Sequence, residues 1–295
     1  MVDLLIMYVI MAGVFTLGKT AVLSSAPFFL TAVRLVPAGF LFLTGVYFFD
    51  RKSFFFKSKF LPTIIGVAFF FFAMDSFRFV GLQYIPSAHA ALINSLSPFI
   101  AALLATLVFK EAFTLKKLFA LCLGFAGVLP LIIENIQGSL VDGLQAQLLG
   151  GYAAVFASMI SGVLGTFFLK KLLDKGQYSI YMSLGMALFF GGLLSLSLET
   201  WTPIPVTDIA TVFPIIMFLF VTHNLLSQPL YGYLVRKYPV TLITFATLIT
   251  PLTACLIGHC FYNQKVGFTF IGAVLSLMVA FYIFYHEEEK EGLIK

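Results

Sequence analysis

The chain has 295 residues, of which 60% are hydrophobic and 11% charged, and its mean hydropathy is +1.02. A soluble domain carries about 25% charged residues, so this composition excludes one and implies an all-α membrane protein that crosses the bilayer many times. The net charge of +5 is no nucleic-acid signal, because the basic residues sit between the apolar runs rather than in one patch.

A span takes about 20 mostly apolar residues. Ten are predicted, near 4–23, 27–49, 60–80, 85–109, 114–133, 147–169, 178–198, 211–234, 239–261 and 266–285. The first lacks a basic start and runs straight into further spans, so it reads as a helix and not as a cleavable leader. Lysine and arginine then set the orientation. Fourteen of the 18 fall on one side: Arg51, Lys52, Lys57 and Lys59; Lys110, Lys116 and Lys117; Lys170, Lys171 and Lys175; Arg236 and Lys237; Lys290 and Lys295. The loops at 135–146 and 199–210 carry none, and Lys265 is the lone cation expected outside. Both termini are therefore expected in the cytoplasm.

The stretch Tyr84–Pro130 is written twice. Pro86 and Pro98 recur as Pro239 and Pro251, each 153 residues later, as do Ala101 with Ala254, Leu103 with Leu256 and Ala120 with Ala273. Each copy reads as an apolar helix with a proline at its middle, a polar turn, and a second apolar helix. Such a proline frees the carbonyl four residues back, here that of Asn94 or Thr247, and hydrocarbon tolerates a freed carbonyl only beside another donor or a cavity. The expected organisation is a first five-helix repeat at 1–134, a second at 147–286 and a cytoplasmic tail at 287–295. Five spans per repeat is an odd number, so the repeats must be inverted, around a central cavity.

Polar residues inside spans are costly and mark candidate sites. Lys19 lies near an outer end and can snorkel, whereas Arg34 lies about two turns in. Asp75 and Arg78 have the spacing of an intrahelical ion pair, with a part in substrate handling as the other reading. Span four offers Ser87, Ala90, Asn94, Ser97 and Ala101 on one face, either a packing seam or a site wall; His89 lies off it. In span six, Ala157, Ser161 and Gly165, with Ser158, Gly162 and Thr166, have small-residue packing spacing. In span eight His223, Ser227 and Tyr231 stack four residues apart, flanked by Asn224 and Gln228. Span nine carries the hydroxyl row Thr241, Thr244, Thr247, Thr250 and Thr253, which can bond its own helix. The expected substrate site is Asn94, Ser97, Tyr152, His223, Asn224, Ser227, Gln228 and Tyr231, whose neutral donors and acceptors near a few cations suit a zwitterionic or weakly anionic metabolite. Cys122, Cys255 and Cys260 lack metal-ligand spacing, and no GxGxxG, GxxxxGK[ST] or HExxH occurs, so neither metal nor cofactor is expected.

These stretches resemble the drug/metabolite transporter superfamily, in particular its ten-helix EamA-type members. The residues that carry the likeness are GKTAVLSSAPFFLTAVRLVPAG with Lys19, Pro27 and Arg34; YIPSAHAALINSLSPFIAALLATLVFKE with Pro86, Asn94, Pro98 and Glu111; LCLGFAGVL; and KYPVTLITFATLITPLTA. The family commonly ends spans four and nine with Gly-Glu, where this chain has Lys110-Glu111 and Asn263-Gln264. The resemblance implies a cavity built from spans one, three, four, six, eight and nine, and alternating access. It implies substrates among amino acids, nucleotide-like or S-adenosylmethionine-type metabolites and drugs. A secondary transporter of a small polar metabolite in a bacterial inner membrane is the leading expectation, with monomer and homodimer both open. The alternative is an integral-membrane enzyme such as a lipid-modifying transferase. Against it, Asp75 and Glu111 are expected at opposite membrane faces and the histidines are scattered.

Overall fold

The computed structural model describes residues 2–109, 114–138, 145–175, 178–201, 209–238, 240–245, 247, 250 and 267–290. Helices α1 (Val2–Leu23), α2 (Pro27–Phe49) and α3 (Leu61–Tyr84) come first, followed by α4 (Ser87–Asn94) and α5 (Ser97–Phe109). Next are α6 (Leu115–Gly138), α7 (Gln145–Asp174), α8 (Ile180–Trp201) and α9 (Ile209–Leu219). A π-helical segment, Phe220–Ser227, leads into α10 (Gln228–Lys237), α11 (Val240–Phe245) and α12 (Phe268–Lys290). The described residues include five helices long and apolar enough to cross a membrane, with shorter apolar helices at Gly13–Leu23, His89–Leu104 and Phe268–Ala280. Large apolar side chains such as Phe48, Phe49, Phe69 and Phe268 stand exposed along these helices, where only lipid covers them without cost. The chain is a multi-pass membrane protein.

Prolines set several boundaries. Pro27 opens α2 after an extended Ala26, a position where its missing N–H costs nothing. Ile85 before Pro86 and Tyr238 before Pro239 are both extended, with ψ of 155° and 158°, as the proline ring requires of its predecessor. The expected single helix at 85–109 is instead two. The ladder stops at Asn94, Ser95 and Leu96 form a turn, and Pro98 falls in the first turn of α5, where a proline needs no donor. Ser95 Oγ donates to the Leu92 carbonyl at 2.6 Å and serves the broken end. Pro251 lies outside the described residues, as do Glu111, Asn263, Gln264, Cys255 and Cys260.

The tightest packing joins α2 to α8, α3 to α7, and α6 to α12. Small residues bring these backbones together. A Cβ at Gly81 would stand 2.8 Å from the Gly151 carbonyl between α3 and α7, and one at Gly191, where α8 also meets α3, 2.7 Å from that of Ala68. At Gly39 it would run into the backbone of Phe189 on α8, whereas at Gly45, on the same helix, nothing lies within 4 Å. Gly39→Val should therefore lose about 1–3 kcal/mol by overpacking, while Gly45→Val changes little. Thermal unfolding in detergent tests this, and equal stability of the two variants would refute the crossing.

Candidate functional site

A cavity lies among these helices, and each of the six spans named by the resemblance contributes to its wall. Tyr8 and Met11 come from α1. Phe71, Met74 and Arg78 share one face of α3, at helical spacing. Asn94 and Ser97 flank the α4–α5 break. Met159, Gly162, Val163 and Thr166 come from α7, Gln228 and Tyr231 from α10, and Thr244 and Thr247 from the α11 region. The free space is about 70 Å³, enough for a few waters at about 10–15 Å³ each on this measure.

The wall is tied together by hydroxyls. Ser97 Oγ and Thr247 Oγ1 are 3.2 Å apart, and Thr247 donates to the Thr244 carbonyl at 2.6 Å. Tyr8 donates to the Ile243 carbonyl at 2.7 Å. Thr166 bonds the Gly162 carbonyl at 2.8 Å and also the Tyr231 hydroxyl. Between α7 and α3 small residues of span six pack closely: Ser158 Oγ donates to the Met74 carbonyl at 2.6 Å, and a Cβ at Gly165 would meet the Phe71 ring at 2.9 Å.

Of the eight expected substrate residues, Asn94, Ser97, Gln228 and Tyr231 line the cavity. Tyr152 instead pairs with His89, hydroxyl to Nδ1 at 2.7 Å. His223, Asn224 and Ser227 are buried in the π segment, with no partner for their polar atoms among the described residues. The expected straight stripe is broken because the segment winds more loosely: Gln228 N–H bonds the carbonyl of His223, five residues back. Pro229 follows at once, and its missing N–H favours such a local shift in the ladder. Tyr8, Met11, Phe71, Met74 and Met159 were not foreseen; aromatic and sulfur-bearing residues on an apolar helix give no sign of which face looks inward.

The buried charges form one unit. Asp75 accepts from Arg34 Nη2 at 3.0 Å and from Arg78 Nη1 at 3.1 Å, and all three are buried. Arg34 lies over the Phe79 ring at 4.9 Å and Arg78 over Phe15 at 5.2 Å, where the ring faces attract a cation. Lys19 does not simply snorkel: its Nζ donates to the carbonyls of Leu82 and Ile85, each at 2.9 Å. These are carbonyls at the α3 terminus that the helix leaves unbonded, at the end where a cation is favoured.

Residues 2–133 match the EamA-like transporter family. The S-adenosylmethionine/S-adenosylhomocysteine transporter of Chlamydia muridarum is 28% identical over 95% of this chain and 89% of its own. That of Chlamydia trachomatis serovar L2 is 28% identical over 95% of this chain and 87% of its own. A WAT1-related chloroplast protein of Arabidopsis thaliana is 25% identical over 89% of this chain and 64% of its own. A solved crystal structure superposes with a TM-score of 0.70 over 97% of this chain and 96% of its own at 14% identity, a likeness of fold alone. The drug/metabolite transporter resemblance seen in the motifs is thus matched by the family and by the relatives, which point to a membrane transporter rather than an enzyme.

Proposed function

We propose that the protein is a secondary transporter that moves a small polar metabolite of the S-adenosylmethionine and S-adenosylhomocysteine class across a bacterial inner membrane, with both termini cytoplasmic. The observation that carries this reading is the cavity, whose lining brings polar Asn94, Ser97, Gln228 and Arg78 together with the aromatic rings of Tyr8, Phe71 and Tyr231. Rings of this kind offer flat faces to a purine and attract a sulfonium. Ligand sites of drug-sized solutes occupy about 300–1,000 Å³, so the walls of a cavity of about 70 Å³ must part around the solute.

The parting is by alternating access between two inverted five-helix repeats among ten spans. Hydrogen bonds support this. Lys19 binds the carbonyls of Leu82 and Ile85, and Lys170 binds those of Val235 at 2.9 Å and Tyr238 at 3.3 Å. The second pair of carbonyls follows the first by 153 residues, the interval of the prolines. Ser276 Oγ donates to the Leu123 carbonyl at 3.0 Å, again across 153 residues. A two-fold relation between halves makes such a self-paired contact natural.

Purified protein should be stabilised saturably by S-adenosylhomocysteine or S-adenosylmethionine, by about 2.7 kcal/mol at a hundred times Kd, and should take up labelled compound into vesicles. Gln228→Ala and Asn94→Ala should each weaken binding about tenfold, the worth of one lost ligand hydrogen bond, at little cost in ligand-free stability. Unchanged affinity together with a fall in stability would retire these residues as the site. No stabilisation by either compound would retire the substrate class.

A further inference from the structure

The two repeats do not put the same charge on the cavity. At the 153-residue interval Asp75 and Arg78 correspond to Gln228 and Tyr231. The second pair is neutral and lines the cavity, and Arg78 lines it from the first repeat. The charged wall also carries a surplus. Two guanidinium groups, of Arg34 and Arg78, share the one carboxylate of Asp75. Asp75 spends one oxygen on each, so neither arginine is matched by the two-pronged contact its planar fork favours. Arg34 Nε and Nη1 and Arg78 Nε are buried with no partner among the described residues. His223 and Asn224, on the π segment that packs against α2, also have buried polar atoms with no partner among the described residues. A buried surplus of positive charge is expensive unless an anion joins it.

We infer that Arg78 is the anion anchor of the cavity: it binds a carboxylate of the transported solute, which lies with that carboxylate on the α3 wall and the rest of the molecule along the uncharged Gln228–Tyr231 wall. This rests on the proposed substrate class and refines it. Arg78 is the member of the charged cluster that reaches the cavity, and Asp75 aims it by holding Nη1. The solute's carboxylate completes a cluster of two cations and two anions. Because the second repeat has no counterpart to Arg78, the anchor also fixes which way round an elongated zwitterion enters the site.

The test compares S-adenosylhomocysteine with its carboxyl methyl ester on the wild-type protein, by thermal shift and by isothermal titration. The ester keeps the adenosine, thioether and amine and loses only the negative charge. We expect it to bind at least tenfold more weakly. In Arg78→Gln the two compounds should bind within about twofold of each other, while Arg78→Lys should keep part of the discrimination. An ester that binds wild-type protein as well as the acid overturns the anchor, and so does undiminished discrimination in a folded Arg78→Gln protein. Should the glutamine variant not fold, the wild-type comparison still decides. Failure of the substrate class looks different, because then neither compound shifts the melting curve. Free L-amino acids are in that case compared with their amides on the same protein. Stabilisation by acids and not by amides upholds the anchor, and any other result overturns it.

Discussion

Asp75→Asn should cost more stability than either Arg34→Gln or Arg78→Gln. Among the described residues the aspartate is the sole carboxylate between two buried guanidinium groups. Removing it leaves two uncompensated cations in the interior of a membrane protein, whereas removing one arginine leaves a matched pair. Breaking a buried ion pair by deleting one partner costs about 3–5 kcal/mol, and Asp75→Asn belongs at or above the top of that range because it orphans both neighbours at once. Arg34→Gln gives up one of the two bonds to Asp75 and the contact with Phe79 while leaving the Arg78 pair, so its loss should be smaller. Arg34→Lys should not restore full stability, since an ammonium lacks the planar fork that reaches Asp75 while resting on the ring. Thermal unfolding and yield of monodisperse protein in detergent give the order. If Arg34→Gln proves as damaging as Asp75→Asn, Arg34 has a second acceptor and the charge count above is wrong.

What the sequence shows of this arrangement follows the range of the physics involved. Apolar runs reveal the spans because burial in lipid acts residue by residue. The extended residues before Pro86 and Pro239 are legible because a proline constrains its own neighbour. The i,i+3 pair Asp75–Arg78 is legible for the same reason, being local to one helix. Arg34–Asp75 is not, because its members lie 41 residues apart on two different helices. The break at Ser95–Leu96 and the π segment at Phe220–Ser227 are shifts of a single rung in the backbone ladder. A proline hints at them, but where the rung slips is set by packing. That one slip decides which residues of this stretch line the cavity. With regular winding His223, Ser227 and Tyr231 would stand in line; with the looser turn Gln228 and Tyr231 line the cavity while His223, Asn224 and Ser227 are buried outside its lining.

Lys19→Met and Lys170→Met should each destabilise the protein by a similar amount, and their effects should add. Each lysine donates to two carbonyls at the end of a helix that a following proline has stopped. Bonds to a charged donor are worth about 1.5–3 kcal/mol each. Methionine fills the same path through the apolar stem but leaves those carbonyls bare, so a loss near 3 kcal/mol per site is expected. The loss at Lys170 should be somewhat smaller, because its second bond is 3.3 Å long and the group is part exposed, with Asp174 3.6 Å away as an alternative partner. The clamps share no partner, so the double variant should equal the sum of the singles within about 0.5 kcal/mol. If the two are one device written twice in inverted repeats, they sit at opposite faces of the membrane. Tyr84 and Lys237, 153 residues apart and both exposed, mark those faces. In a protein freed of its three native cysteines, a cysteine replacing Tyr84 should react with an impermeant thiol reagent from outside intact cells. One replacing Lys237 should react only after the cells are opened. Labelling of both from the same side would leave the lysine clamps as local helix caps and remove the inverted symmetry from which alternating access was inferred.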